Sequence, residues 1–157
     1  MTIDSELDLV IERFMRAEPA AVWKAWTTPH LLERWWVPAP SQCQVQSLEV
    51  WPGGAFRTLL SEDGERYLPH IDGCFLLLEA HRRLVFTDTL TGGFRPAVNP
   101  FMTADISFTA VAGGTEYRAV VKHKDRAERD RHVELGFHDG WETVTAQLAA
   151  LVERQGA

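Results

Sequence analysis

The chain is poor in cysteine: Cys43 and Cys74 are the only two in 157 residues. Their separation fits neither a disulfide framework nor a metal-binding spacing, so they read as buried free thiols in a reducing compartment. No apolar run approaches the roughly 20 residues of a membrane-spanning helix. The opening "MTIDSELDLVIERF" lacks a basic region ahead of an apolar block, so no signal peptide is expected and the expected location is cytoplasmic. Basic charge is scarce as well, with 16 lysines and arginines against 22 acidic residues and a net charge of -6. A nucleic-acid binder needs a basic face to displace counterions, and docking on anionic lipid needs a polybasic segment. Neither partner is expected. No serine lies in a nucleophile elbow, no glycine loop has phosphate-binding spacing, and neither cysteine has an activating neighbour pattern. Nucleotide hydrolysis, hydride transfer and acyl transfer therefore find no support. Repeats, low-complexity tracts and linkers are missing too, which leaves one domain over residues 1–157.

What is present is a change of pattern along the chain. "ELDLVIERF" alternates, with Leu7, Leu9 and Ile11 on one side and Asp8 and Glu12 on the other, which predicts a strand. "EPAAVWKAW" places Val22, Trp23 and Trp26 at helical spacing behind Pro19, and "TTPHLLERWW" restarts a short helix at Pro29. From Cys43 to His123 strands alternate with turns: "CQVQSLEV", "AFRTLLS", "RYLPHIDGCFLLLE", "RLVFTDTL", "MTADISFTAV" and "EYRAVVKH". "EDGE" is a hairpin signal, because Gly64 tolerates positive φ. "TGGFRPAVNPF" reads as a loop. Met102, Ala104, Ile106 and Phe108 share one face of their strand, and His123 has the inward parity of Tyr117, Ala119 and Val121. Consecutive strands joined by turns predict an antiparallel sheet, which one long C-terminal helix must cover in an α+β layer architecture.

That helix begins by weakening itself. Gly136 and Gly140 open it, each costing about 1 kcal/mol relative to alanine in a helix interior. At about 100° per residue, Phe137, Trp141, Val144, Leu148, Leu151 and Val152 form a core-facing stripe. Glu134, with the helix extended back to it, points along the same stripe. The preferred explanation of the glycines is close packing against Trp35 or Trp36, since steric permission is glycine's commonest use. The alternative is volume left for a ligand.

Chemistry-bearing residues are few. Glu134 and His138, four apart, share a helix face, but with no third ligand they read as an ion pair and no metal is expected. Asp88 is in phase with Leu84 and Phe86; facing inward it is a candidate base with a raised pKa, facing outward a solvated strand residue. His123 is a candidate acid–base group or a strand-end histidine with a backbone partner. His138 is a third catalytic candidate. His70 and Asp72 share a face and offer a base–orienter pair, but beside the bend at Pro69 and Gly73 solvent is the simpler surrounding.

The order of elements resembles the helix-grip fold of START-type and Bet v 1-like proteins. Four stretches narrow the resemblance. "AEPAAVWKAWTTPHLLERWWVP", "EVWPGGAFR", "GCFLLLEAHRRLVFT" and "ELGFHDGWETVTAQLAALV" are similar, in order, to signatures of the domain related to the activator of Hsp90 ATPase. The likeness runs over roughly residues 7 to 153. It implies a curved seven-stranded antiparallel sheet gripping the long helix, two short helices after the first strand, and a cavity between sheet and helix. "GFHDGW" is then expected at the wide end of that cavity.

In such a cavity Trp35, Trp36, Phe75, Phe86, Phe101, Phe137 and Trp141, individually core residues, supply apolar walls. Asp88, His123, Glu134 and His138 supply the orienting polar groups. The leading reading is binding of a small hydrophobic or aromatic ligand without a cofactor, with Phe137, Trp141 and "TGGFRPAVNPF" gating entry. The rivals are an acid–base enzyme of the cyclase, hydratase or lyase kind and stimulation of an Hsp90-type ATPase. The last is disfavoured, because the eukaryotic activators use an additional N-terminal domain that this sequence does not display. A homodimer is left open.

Overall fold

A computed structural model describes residues 2–155. Strand β1, Asp8–Met15, buries Leu9 and Ile11 and turns Glu12 outward to pair with Arg118. Helix α1, Pro19–Thr27, buries Val22, Ala25 and Trp26, and helix α2, Pro29–Leu32, follows at once. Thr28 separates them in an extended conformation, φ -114° and ψ 119°. The proline after it excludes helical backbone at that residue, so one amphipathic stretch becomes two helices. Trp35 and Trp36 follow α2 and are both buried.

The sheet comprises β2 (Gln42–Leu48), β3 (Ala55–Ser61), β4 (Leu68–Glu79), β5 (Arg83–Thr87), β8 (Thr103–Val111) and β9 (Gly114–Lys122) with β1. Their spatial order is β1-β9-β8-β5-β4-β3-β2, antiparallel at every pairing. The β2–β5 half carries a register shift in each of its three pairings, at Val45/Ser47, Thr58/Leu59 and Phe75/Leu77. Bulges of this kind bend strands and increase twist. The β5-β8-β9-β1 half runs without a shift. Met102, Ala104, Ile106 and Phe108 are buried as expected, as are Tyr117, Ala119 and Val121 on β9 and His123 just beyond its end.

Three features depart from the sequence reading. The strand expected over "RLVFTDTL" stops at Thr87, so Asp88 lies just beyond it. The expected loop contains a small hairpin, β6 (Leu90–Thr91) with β7 (Arg95–Pro96). The single C-terminal helix is two: α3, Arg126–Glu134, capped by the Asp125 side chain on the Glu128 N–H, and α4, Phe137–Gln155. Gly136, at φ +93°, turns the chain between them. Only glycine adopts that backbone without strain, and this residue ends α3 and redirects the chain into α4.

The core centres on Trp26, Trp35, Phe56, Phe75 and Phe86, each at most 1% exposed. Burying each phenylalanine stabilises the fold by about 2 kcal/mol. Two of the tryptophans satisfy their indole N–H inside this core: Trp26 donates to the Tyr117 hydroxyl at 3.2 Å and Trp35 to the Ala25 carbonyl at 3.0 Å. Both cysteines are buried free thiols, and burial with Glu33 nearby pushes Cys43 up to about 12. No helix is long and apolar enough to cross a membrane among the described residues.

Candidate functional site

The two ends of α4 meet the rest of the molecule differently. At its tail Val144, Leu148, Ala149, Leu151 and Val152 are buried. The Gln147 side chain fastens the tail by donating to the Trp35 and Val37 carbonyls, at 2.9 and 2.8 Å, and accepting the Ala39 N–H. At its head Phe137 is buried, Trp141 half-buried and His138 and Asp139 exposed. Between that head, α3 and the sheet lies a cleft of about 470 Å³, walled by Trp36, Phe101, Phe137 and Trp141 and completed by Ile71, Met102 and Val144. Gly136 and Gly140 border it.

Neither glycine serves the close packing that the sequence favours. A Cβ at either would meet no atom within 4 Å, so what lies beside them is open space. The steric explanation does hold elsewhere: a Cβ on Gly73 would stand 2.2 Å from the Thr87 carbonyl oxygen.

Five polar groups border the cleft or carry its wall. Asp88 Oδ1 accepts the N–H groups of Phe101 and Met102, at 2.9 and 2.8 Å. Burial raises its pKa above the usual carboxylate range, against the opposing pull of those bonds and of His123. It pairs with no cation among the described residues. His132, on α3, is packed against Phe101 and Phe137 with centroid separations of 4.7 and 5.0 Å. Burial, and then His123 and Arg131, hold its imidazole down at about 4, which makes it neutral at physiological pH. His123 connects it to the scaffold, with Nε2 at 2.8 Å from His132 Nδ1 and Nδ1 at 2.9 Å from the Leu7 carbonyl. His70 is exposed as a residue, but its ring is set between Thr58 and Trp36, where desolvation holds it at about 4. The Trp36 indole N–H is buried without a partner among the described residues, in contrast to Trp26 and Trp35. An orphan donor of this kind costs about 1–3 kcal/mol.

Of the expected site residues, Trp36, Asp88, Phe101, Phe137 and Trp141 line the cleft. Trp35, Phe75 and Phe86 are core residues that do not line it. Glu134 and His138 face solvent: the break at Gly136 removes Glu134 from the α4 stripe altogether. His123 is buried but lies behind His132, which stands between it and the cleft lining. Asp72 pairs with Arg57 at 3.6 Å and not with His70. His132 and His70 are the titratable cleft residues that site reasoning from sequence missed or set aside. The signal for His132 was a capped helical start at "KDRAER", which makes α3 a separate element. Of the gating loop, Phe101 reaches the cleft, whereas Phe94 folds over Gly53. A larger depression of about 860 Å³ opens near the start of α1, but His81 is the only aromatic ring in its lining. Among the described residues no group of three or more histidine, cysteine or acidic side chains is arranged to hold a metal.

This architecture recurs in solved structures. A crystallised protein from Nitrosomonas europaea is 37% identical, with 98% of each chain covered and a TM-score of 0.88. A protein from Mycobacterium smegmatis shares the fold at 23% identity and a TM-score of 0.77, over 96% of this chain and 94% of that one. The AHSA1-like protein from Aeromonas hydrophila, at 21% identity and a TM-score of 0.68, matches over 96% and 94%. No curated protein matches the chain. The sequence profile described as Activator of Hsp90 ATPase homolog 1-like protein matches residues 16–153. The helix-grip topology, the order of the signatures and that match agree, and the chain belongs to the activator of Hsp90 ATPase homolog 1-like family.

Proposed function

We propose that the protein binds a small hydrophobic or aromatic molecule in the cleft between the sheet and the head of α4. The observation that carries this reading is Gly140: it stands in a helix interior, borders the cleft, and has nothing within 4 Å of where a side chain would be. A residue that weakens its helix without admitting a neighbour keeps volume free. That volume, about 470 Å³, is in the range of small-molecule sites, and its aromatic walls suit an apolar occupant. The reading assigns this role to the cytoplasm and requires no cofactor.

The test is a titration with small aromatics of the naphthalene series, followed by tryptophan fluorescence and thermal midpoint. Saturable binding should raise the midpoint. Gly140→Leu should fold yet lose the response, because its side chain occupies the cleft. No saturable binding by any member of the series would overturn the reading.

One observation favours acid–base chemistry as a second reading: Asp88, His70 and His132 all border the same cleft. A general acid or base contributes about 10²–10⁴ in rate. Any turnover of a bound aromatic should therefore fall by that factor in Asp88→Asn, and a turnover indifferent to the substitution would dismiss Asp88. Stimulation of an Hsp90-type ATPase is the third reading, decided by that chaperone's ATPase rate with and without this protein.

A further inference from the structure

The hydrogen bonds behind the cleft fix which polar groups an occupant meets; this step rests on the binding reading above. The Leu7 carbonyl can only accept, so His123 carries a proton on Nδ1 and donates it across 2.9 Å. In the neutral pair His123 Nε2 is then bare, and His132 Nδ1, 2.8 Å away, is the donor to it. This leaves His132 Nε2 as a lone-pair acceptor on the far side of the ring from His123. It has no protein partner among the described residues. Phe101 and Phe137 hold the imidazole from its two neighbouring elements, so its orientation is set before anything binds.

Asp88 has the same polarity. Its Oδ1 is taken up by two backbone N–H groups, while Oδ2 has no hydrogen-bond partner among the described residues. The cleft lining includes no lysine or arginine. Arg131, which stacks over the Phe101 ring at 4.8 Å, is engaged by Glu128. Free hydrogen-bonding capacity on Asp88 and His132 is thus acceptor capacity, set among aromatic walls and beside a carboxylate.

We propose that the occupant is an aromatic molecule carrying a hydroxyl or amino donor and no negative charge, whose O–H or N–H bonds to His132 Nε2. An ether in the same place leaves that nitrogen unpaired. A carboxylate in the same place meets the lone pair of His132 Nε2 and the charge of Asp88. His123 acts as a positioning residue, holding His132 in the tautomer that accepts.

A matched series tests this: 2-naphthol, 2-naphthylamine, 2-methoxynaphthalene and 2-naphthoate, titrated against the intact chain at pH 7.5. The hydroxyl or the amino compound should bind about tenfold or more tightly than the ether, the size expected when a buried acceptor loses its donor. The naphthoate should bind weakest. Whichever donor binds tighter identifies the occupant as alcohol-like or amine-like. In His132→Phe the preference over the ether should collapse to about twofold or less, while the ether itself still binds. Equal binding of donors and ether by the native chain overturns the inference and leaves the binding reading standing, as does tightest binding by naphthoate. Failure of all four to bind overturns both. The native-chain series decides the matter even if His132→Phe does not fold.

Discussion

The tail and the head of α4 are one continuous helix with opposite relations to the sheet. From Val144 to Val152 apolar side chains at helical spacing are buried, and Gln147 fastens the helix to the segment after α2. From Phe137 to Trp141 the helix carries a glycine beside open space, exposed polar residues and one half-buried tryptophan. The contrast teaches that the tail packs for stability while the head leaves open space beside it. A fold can concede about 1 kcal/mol at Gly140 because the tail supplies several times that.

The largest effect that would break this comparison is a cavity in the tail. Leu148 is fully buried, and Leu148→Ala should destabilise the protein by about 3 kcal/mol in urea unfolding. A loss below about 1 kcal/mol would mean the tail is not the anchor. Next comes acid. His132 is held near 4 in the folded chain, against 6.5 for an unperturbed histidine, so the unfolded chain takes up the proton first. The stability this contributes is complete above pH 6.5 and is lost as pH falls from 6.5 towards 4; the shift corresponds to about 3 kcal/mol, which water around the partly exposed ring reduces to about 2 kcal/mol. His70 acts in the same direction but is exposed, and water screens it. Comparing unfolding of the native chain and His132→Gln between pH 7 and 4.5 checks this. The native chain should lose more stability, and parallel curves would refute the assignment to His132.

Gln147→Ala removes three hydrogen bonds and leaves the Trp35 and Val37 carbonyls without that partner, so a loss of about 1–2 kcal/mol is expected by the same assay. The smallest effect has the opposite sign and sharpens the comparison most. Gly140→Ala should stabilise by up to about 1 kcal/mol, since the new methyl group meets nothing and the helix gains propensity. Gly136→Ala should instead destabilise by at least about 1 kcal/mol, because φ +93° strains any residue with a Cβ. Two glycines four residues apart thus respond in opposite directions, one lying beside open space and the other held to a backbone that only glycine adopts without strain.

Much of the fold was legible because its signals are local. Alternation marked β1, β8 and β9, proline marked the starts of α1 and α2, and Gly64 marked a hairpin whose φ is +80°. The stripe of α4 from Val144 onward followed from periodicity alone. The site was half legible. Phe137, Trp141, Trp36 and Phe101 were named and line the cleft, as does Asp88. Glu134 and His138 were named on the premise of one unbroken helix, and the turn at Gly136 undoes that premise. His132 was passed over because its surroundings come from His123, nine residues earlier and just past the end of β9, and through it from the Leu7 carbonyl.

The sequence by itself determined the α+β class, the antiparallel order of the strands and the face on which α4 is apolar, since each depends on periodicities and backbone preferences within a few residues. Only the tertiary structure decided that the glycines border empty space, that the Trp36 indole is orphaned while its neighbours are paired, and that His132 meets His123 behind the cleft. Those properties depend on which groups from distant segments occupy the same few ångströms, and no local pattern encodes that distance.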